Sequence, residues 1–228
     1  MRLLALRHSL PVGFIILLSL FGCSLPNKKI ANDLCDGLQN QCIRNNLIVE
    51  MLTSKGKIIL ELNGESAPLT TTNFIKLTKK GFYRNTSFNR VIKHPFPFIV
   101  QGGYQSSNYK TIQNIEEKDR IYLKDRLLTS VKIPLEIKIK GEDHPRYNKI
   151  ISNNEDFNRI KLPHRRGSLA MSRAKPLDSA SIQFYIALKD LPELDGRYAV
   201  FGKVIKGMDI VELIKEGDTI VDIKIVSD

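Results

Sequence analysis

The chain of 228 residues is 42% hydrophobic with 14 Gly and 10 Pro, ordinary values for a globular protein with room for one large domain or two small ones. Lys+Arg of 35 against Asp+Glu of 24 gives a formal charge of +11, an excess that could face nucleic acid, an anionic membrane surface, or simply water. No run of five or six basic residues and no glycine-rich aromatic RNA-binding signature occurs, so nucleic acid is not expected as a partner.

At the N-terminus, Arg2, Arg7 and His8 precede an apolar run from Leu10 to Phe21 that is too short to span a bilayer comfortably. A charged start, a short greasy middle and a small residue at the end describe a secretory signal over residues 1–22. Leu20-Phe21-Gly22-Cys23 looks like a bacterial lipobox, with Phe21 bulkier than the usual residue there. Cys23 is therefore expected to carry lipid, residues 23–45 to act as a tether, and the remainder to sit outside the cytoplasm on a bacterial membrane. The tether holds Cys35 and Cys42 ("NKKIANDLCDGLQNQCIRNN"). Outside the cytoplasm such a pair suggests a disulfide, two free thiols being the alternative, and no His stands near enough for a zinc site.

From Asn46 the pattern changes. "LIVEMLTSKGKIILELNG" reads as two β-rich runs around the turn Ser54-Lys55-Gly56. Pro68 opens "PLTTTNFIKLTKKG", with lysines in the last turn and Gly81 at its end, which predicts a helix with Phe74 and Leu77 toward the core. Then comes "FNRVIKHPFPFIVQGG", Phe88 to Gly103. As a strand it would give Phe88, Arg90 and Ile92 one side-chain direction, and an arginine on that face must meet water, an acid, or something that visits.

Residues 104–166 carry 14 basic and 9 acidic residues and short strand-like pieces such as "VKIPLEIKI". They read as an elaborated loop insert, about 104–160, with too few large apolar residues to bury a core of its own. From Gly167 the signal sharpens. "GSLAMSRA" is a strand entering a turn, "SIQFYIAL" a buried strand, and "YAVFGKVI" another after the turn Asp195-Gly196. "GMDIVELIKEGD" predicts a short helix with Ile210, Leu213 and Ile214 on one stripe and Gly217 as its stop, and "DIKIVSD" is a last strand. Many short strands with two helices predict a mainly β domain over 46–228: a closed antiparallel barrel of about eight strands whose open ends the helices cover.

Standard catalytic inventories come up empty. His8, His94, His144 and His164 have no metal-ligand spacing and no Ser or Cys partner visible in sequence. No phosphate-cradling glycine loop and no paired catalytic carboxylates occur, so neither a hydrolase nor a metalloenzyme is expected, and no cofactor.

What does occur is an ordered set: "APLTTTNFIKL", "FNRVIKHPFPFIVQGG", "RRGSLAMSRA", "DSASIQFYIAL" and "LDGRYAVFGKVIKGMDIV". Together these segments resemble the cyclophilins, a family of peptidyl-prolyl cis-trans isomerases, from about Ile48 to Val226. The resemblance implies a cyclophilin-like barrel, proline-containing polypeptides as partners, and a monomer. It gives Arg90 the position of the arginine that reaches the substrate proline's amide, and Gln101 that of a glutamine holding substrate and arginine. Phe98, Ile99, Tyr185 and Leu194 match apolar positions that enclose the proline ring. Ser172, Arg173 and Ala174 match a segment whose backbone pairs with an extended peptide, and Gln183, two residues before Tyr185, can face the same groove.

Departures stand beside the matches. Family members known for cyclosporin binding carry tryptophan where Glu193 stands and histidine where Tyr198 stands. Tyr185 replaces a common phenylalanine and Arg173 a common asparagine. The pocket for proline survives these changes, so an isomerase assisting the folding of exported proteins is expected. The alternatives are a binding chaperone or scaffold on the same fold, without turnover, and an envelope adaptor whose basic insert is the functional part.

Overall fold

Strands β1 (Asn46–Thr53) and β2 (Gly56–Asn63) alternate buried with more open residues along their length, the period-two pattern that lets one face line an interior. In the computed structural model, which describes residue 35, residues 42–103 and residues 132–227, that face closes on itself. The remaining strands are β3 (Thr86–Ile92), β4 (Ile99–Gly102), β5 (Glu136–Ile137), β6 (Arg146–Tyr147), β7 (Ser168–Met171), β8 (Phe184–Ala187), β9 (Val200–Lys206) and β10 (Thr219–Ser227). Eight of them form a closed antiparallel barrel in the order β1-β10-β3-β4-β8-β7-β9-β2, while β5 and β6 pair separately. The signal segment and Cys23 lie outside the described residues. Cys35 and Cys42 are disulfide-bonded, with Cα atoms 5.6 Å apart.

The barrel interior is filled by alternate residues of its strands, among them Val49, Met51, Leu60, Val100, Leu169, Phe184, Ile186 and Phe201. Burying each such side chain contributes about 1.5–3 kcal/mol. Helix α1 (Pro68–Lys79) adds Phe74, Ile75 and Leu77 to the cluster, and the Phe74 ring meets those of Tyr83, Phe184 and Phe201 at 5.0, 5.6 and 5.3 Å. Pro68 begins the helix where no N–H is needed, but Ala67 at its N-cap offers no side-chain acceptor.

That acceptor comes from far away in sequence. Glu136 in β5 takes hydrogen bonds from the backbone N–H groups of Leu69 (3.1 Å) and Thr70 (2.8 Å) and from the Thr70 hydroxyl (2.7 Å). Its neighbours Leu135 and Ile137 point the other way, into a second cluster with Ile139, Ile151, Ile160 and Ala199. The insert therefore does bury a small core, contrary to the sequence expectation. It succeeds by borrowing Ala199 from the edge of β9 and by packing against Leu177. A third helix, α2 (Asn154–Phe157), joins the two expected ones; the Asn153 side chain caps it by accepting from the Asp156 N–H at 2.8 Å. Arg146 ties this turn down, its guanidinium donating to Glu142 and to Asp156.

Two further expectations are corrected. Helix α3 (Met208–Leu213) ends earlier than its sequence stripe suggests. Ile214 leaves it with extended backbone and is buried beside Val211, whereas Leu213 is 59% exposed. More consequential is a register shift in β3: Phe88 faces Gly102, yet Arg90 already faces Gln101. The extra residue is a bulge, and it reverses the alternation. Phe88 and Val91 join the barrel interior, while Ile92 joins a separate cluster with Ile99 and Tyr185. Phe88 and Arg90 do not share a direction; the bulge turns the arginine out.

Candidate active site

The face turned outward from β3, β4, β8 and β7 carries a groove of about 650 Å³. Register places one side chain from each strand in a row. Arg90 pairs with Gln101, Gln101 with Tyr185, and Tyr185 with Ala170. Arg90, Gln101 and Tyr185 line the groove, and the small Ala170 is packed beneath with Ile99, Leu191 and Val200. Phe98 and Ile99 stand on one side, and Leu194 and Tyr198 follow a 3-10 turn (Pro192–Leu194) on the other. Ser172, Arg173 and Ala174, leaving β7, form a rim, and Gln183 enters just before β8. Every groove residue expected from the sequence is thus brought to one cavity.

The guanidinium of Arg90 is exposed and has no ion-pair partner among the described residues. Its neighbour Gln101 is nearly buried and donates through Nε2 to Oε1 of Gln183 at 2.7 Å, which fixes both amides against the groove wall. The segment leading to Gln183 is pinned from α1 and the turn behind it: Asn73 Nδ2 donates to the Ser181 carbonyl at 2.5 Å, and the Tyr83 hydroxyl to that of Ile182 at 2.9 Å. Ser179, Ser181 and Ile182 also line the groove. The sequence reading quoted their segment without singling them out, because small and apolar residues there carry no chemical signature.

Arg173 does not reach across the groove. It donates through Nε and Nη2 to the Arg197 carbonyl (2.9 and 2.7 Å) and through Nη1 to those of Ala174 and Lys175 (2.9 and 3.1 Å). Its guanidinium lies 4.9 Å from the ring centre of Tyr198, a cation–π contact that closes one end of the groove. Tyr198 in turn sets its edge against Tyr185 at 5.9 Å. Glu193 is exposed on the 3-10 turn and lies outside the lining.

Sequence reasoning missed what stands behind Tyr185. Its hydroxyl is 2.8 Å from Nε2 of His164, whose Nδ1 is 2.7 Å from Oδ1 of Asp195; the same oxygen accepts the His164 backbone N–H at 2.6 Å. All three side chains are buried, and burial pushes the Tyr185 phenol well above its ordinary range. His164 and Asp195 both fall inside quoted segments, but 31 residues separate them and only the fold brings them together.

Outward rows of polar and apolar side chains on a closed antiparallel barrel, with a free guanidinium over an apolar pocket, define a peptide-binding barrel with an electrostatic centre. Residues 48–227 match the family described as cyclophilin type peptidyl-prolyl cis-trans isomerase. A peptidyl-prolyl cis-trans isomerase from Acinetobacter baylyi is 37% identical over 174 residues, covering 74% of this chain and 72% of that one. Another from Helicobacter pylori is 32% identical over 170 residues, covering 74% and 80%. A Cryptosporidium parvum cyclophilin type peptidyl-prolyl cis-trans isomerase, solved in the presence of the dipeptide Ala-Pro, superposes with a TM-score of 0.54 at 28% identity, over 79% of this chain and 99% of that one. The chain belongs to the cyclophilin type peptidyl-prolyl cis-trans isomerase family.

Proposed function

We propose that the groove catalyses rotation about X-Pro bonds in extended polypeptides, with Arg90 as the catalytic group, and that it does so outside the cytoplasm on a lipid-anchored chain. An X-Pro bond rotates over a barrier of roughly 18–20 kcal/mol because resonance must be broken. No bond is made or cut, so neither a nucleophile nor a general acid is needed; the enzyme has only to bind the twisted amide better than either planar form. As the bond twists, its nitrogen becomes a better hydrogen-bond acceptor. A cation held beside it then stabilises that state selectively.

The observation that carries this reading is the row Arg90–Gln101–Tyr185: an arginine free of any described carboxylate, beside a glutamine fixed by Gln183 and an apolar pocket. Phe98, Ile99, Leu194 and Tyr185 take the proline ring, and Gln101 orients the substrate under the guanidinium. Ser172, Arg173 and Ala174 offer backbone to the extended chain. Arg90→Ala should lower isomerase turnover at least about tenfold, equal to ~1.4 kcal/mol of transition-state stabilisation, with the folded state intact. Unchanged turnover in the folded variant would sink the assignment, and retained peptide binding with no turnover in the wild type would favour a holding chaperone. The anchor rests on Leu20-Phe21-Gly22-Cys23. Cys23→Ser should release the protein from the membrane fraction, and a wild-type chain without acylation by mass spectrometry would refute it.

A further inference from the structure

We propose that His164 and Asp195 are positioning residues of this site, fixing the floor of the proline pocket through the hydroxyl of Tyr185. The proposal rests on the isomerase reading above. Neither His164 nor Asp195 lines the groove, so whatever they do for a bound peptide passes through Tyr185.

The direction of each hydrogen bond follows from the chemistry of the groups. Asp195 presents a carboxylate oxygen to Nδ1 of His164 at 2.7 Å, and a carboxylate only accepts, so Nδ1 carries the proton. In the neutral imidazole Nε2 is then an acceptor, and the Tyr185 O–H, 2.8 Å away, donates to it. The imidazole itself cannot drift. Its residue is held at the N–H by Asp195 and at the C=O by the Leu191 N–H, 3.0 Å away. Asp195 is placed by its own N–H on the Pro192 carbonyl (3.1 Å) and by Gly196 beyond it. Gly196 has φ of +69°, and a Cβ there would fall 2.5 Å from the Ile151 carbonyl, so only glycine lets the turn close this tightly.

A phenylalanine in the place of Tyr185 would be held by packing alone. A tyrosine whose hydroxyl is bonded to a fixed imidazole cannot slide along its own axis as the proline nitrogen leaves the amide plane. Misplacement of about 1 Å at such a surface can cost up to about a hundredfold in rate. Anchoring the floor therefore bears on the twisted state more than on the planar ones, and so on kcat more than on KM.

Two substitutions at one position separate anchoring from plain structural support. His164→Gln keeps an acceptor at the Nε2 position for Tyr185. His164→Asn keeps only a donor toward Asp195. With a proline tetrapeptide, His164→Asn should lower kcat about five- to tenfold with KM within about twofold, and His164→Gln should recover most of the loss. In a Tyr185→Phe background the two should no longer differ. Ring-labelled tyrosine NMR gives a second readout: the Tyr185 hydroxyl proton should be protected from exchange in the wild type and in His164→Gln, and lost in His164→Asn. Equal losses for Gln and Asn, in either measurement, would overturn the proposal. If His164→Asn does not fold, Tyr185→Phe decides, since it keeps the ring and removes the anchor; unchanged kcat there would overturn it too. A wild type that binds the tetrapeptide without turning it over would defeat the isomerase reading instead, and Kd for that peptide then replaces kcat in the same comparison of variants.

Discussion

The groove wall and the insert of residues 132–160 both bury polar side chains, and they satisfy them in different ways. In the wall, amide meets amide at Gln101 and Gln183, and a phenol meets an imidazole at Tyr185 and His164. Each partner lies on a neighbouring strand or an adjoining turn, so strand register does most of the positioning. In the insert, ionisable groups do that task over long distances: Glu136 caps a helix 66 residues away, and Arg146 gathers Glu142 and Asp156. The wall is built by pattern and the insert by charge, and the two should fail under different stresses.

Truncating the barrel core is the strongest way to break the wall. Phe201 is fully buried, with its ring against Phe74 of α1. Phe201→Ala should cost about 3–5 kcal/mol and abolish isomerase activity at temperatures where the wild type works. Ile137→Ala, in the smaller cluster of the insert, should cost about 2 kcal/mol and leave turnover measurable once the chain is cooled. Urea melts with parallel turnover assays check both. Loss of turnover in a folded Ile137→Ala chain would show that the insert and the groove are not separable.

Titration reaches the insert and spares the wall. Burial pushes the Glu136 carboxyl up to about 7, against the hydrogen bonds from Thr70 and Leu69 that favour its charged form. The folded chain thus holds this proton up to about pH 7, whereas an ordinary glutamate loses it near 4.5. Between those values the folded state binds more protons than the unfolded one, so this group's contribution is complete below pH 4.5 and is lost as pH rises toward 7. The full span is about 3 kcal/mol. Glu136→Gln keeps a carbonyl acceptor for α1 and removes the titration, so the difference in urea stability between wild type and variant should change across that window. A constant difference would show that Glu136 does not titrate there.

The same division explains what the sequence made legible. Alternation in β1, β2, β8 and β9 announced the barrel, and the ordered segments announced every expected groove residue. The bulge at Asn89 was not legible, since an extra residue in one strand leaves no mark in that strand's own pattern. Leu213 and Ile214 misled because a helical stripe says nothing about where the helix ends. The cap on α1 and the support behind Tyr185 escaped for one physical reason: a buried polar group declares itself only beside its partner, and these partners are 66 and 21 residues apart.

The smallest effect sharpens the comparison at the point where wall and insert meet. The 3-10 turn Pro192–Leu194 leads into Asp195 and Gly196, and the Ile151 N–H of the insert donates to the Gly196 carbonyl at 3.1 Å. Leu194 faces the groove, while Glu193 beside it is exposed and outside the lining, so the groove lacks an aromatic wall on this side. A large apolar macrocycle such as cyclosporin needs that wall, because aromatic side chains supply much of the area in pockets of this kind. It would also have to desolvate the Glu193 carboxylate or leave a gap beside it. An extended peptide stays half solvated and rests its proline on Phe98, Ile99 and Tyr185, so it notices the carboxylate less. Glu193→Trp should therefore tighten cyclosporin roughly tenfold, about 1.4 kcal/mol, with turnover of a proline tetrapeptide changed less than about twofold. Titration calorimetry on both forms measures the first and a coupled isomerase assay the second. Nanomolar binding by the wild type would show that Tyr198 and Leu194 already complete the wall without Trp.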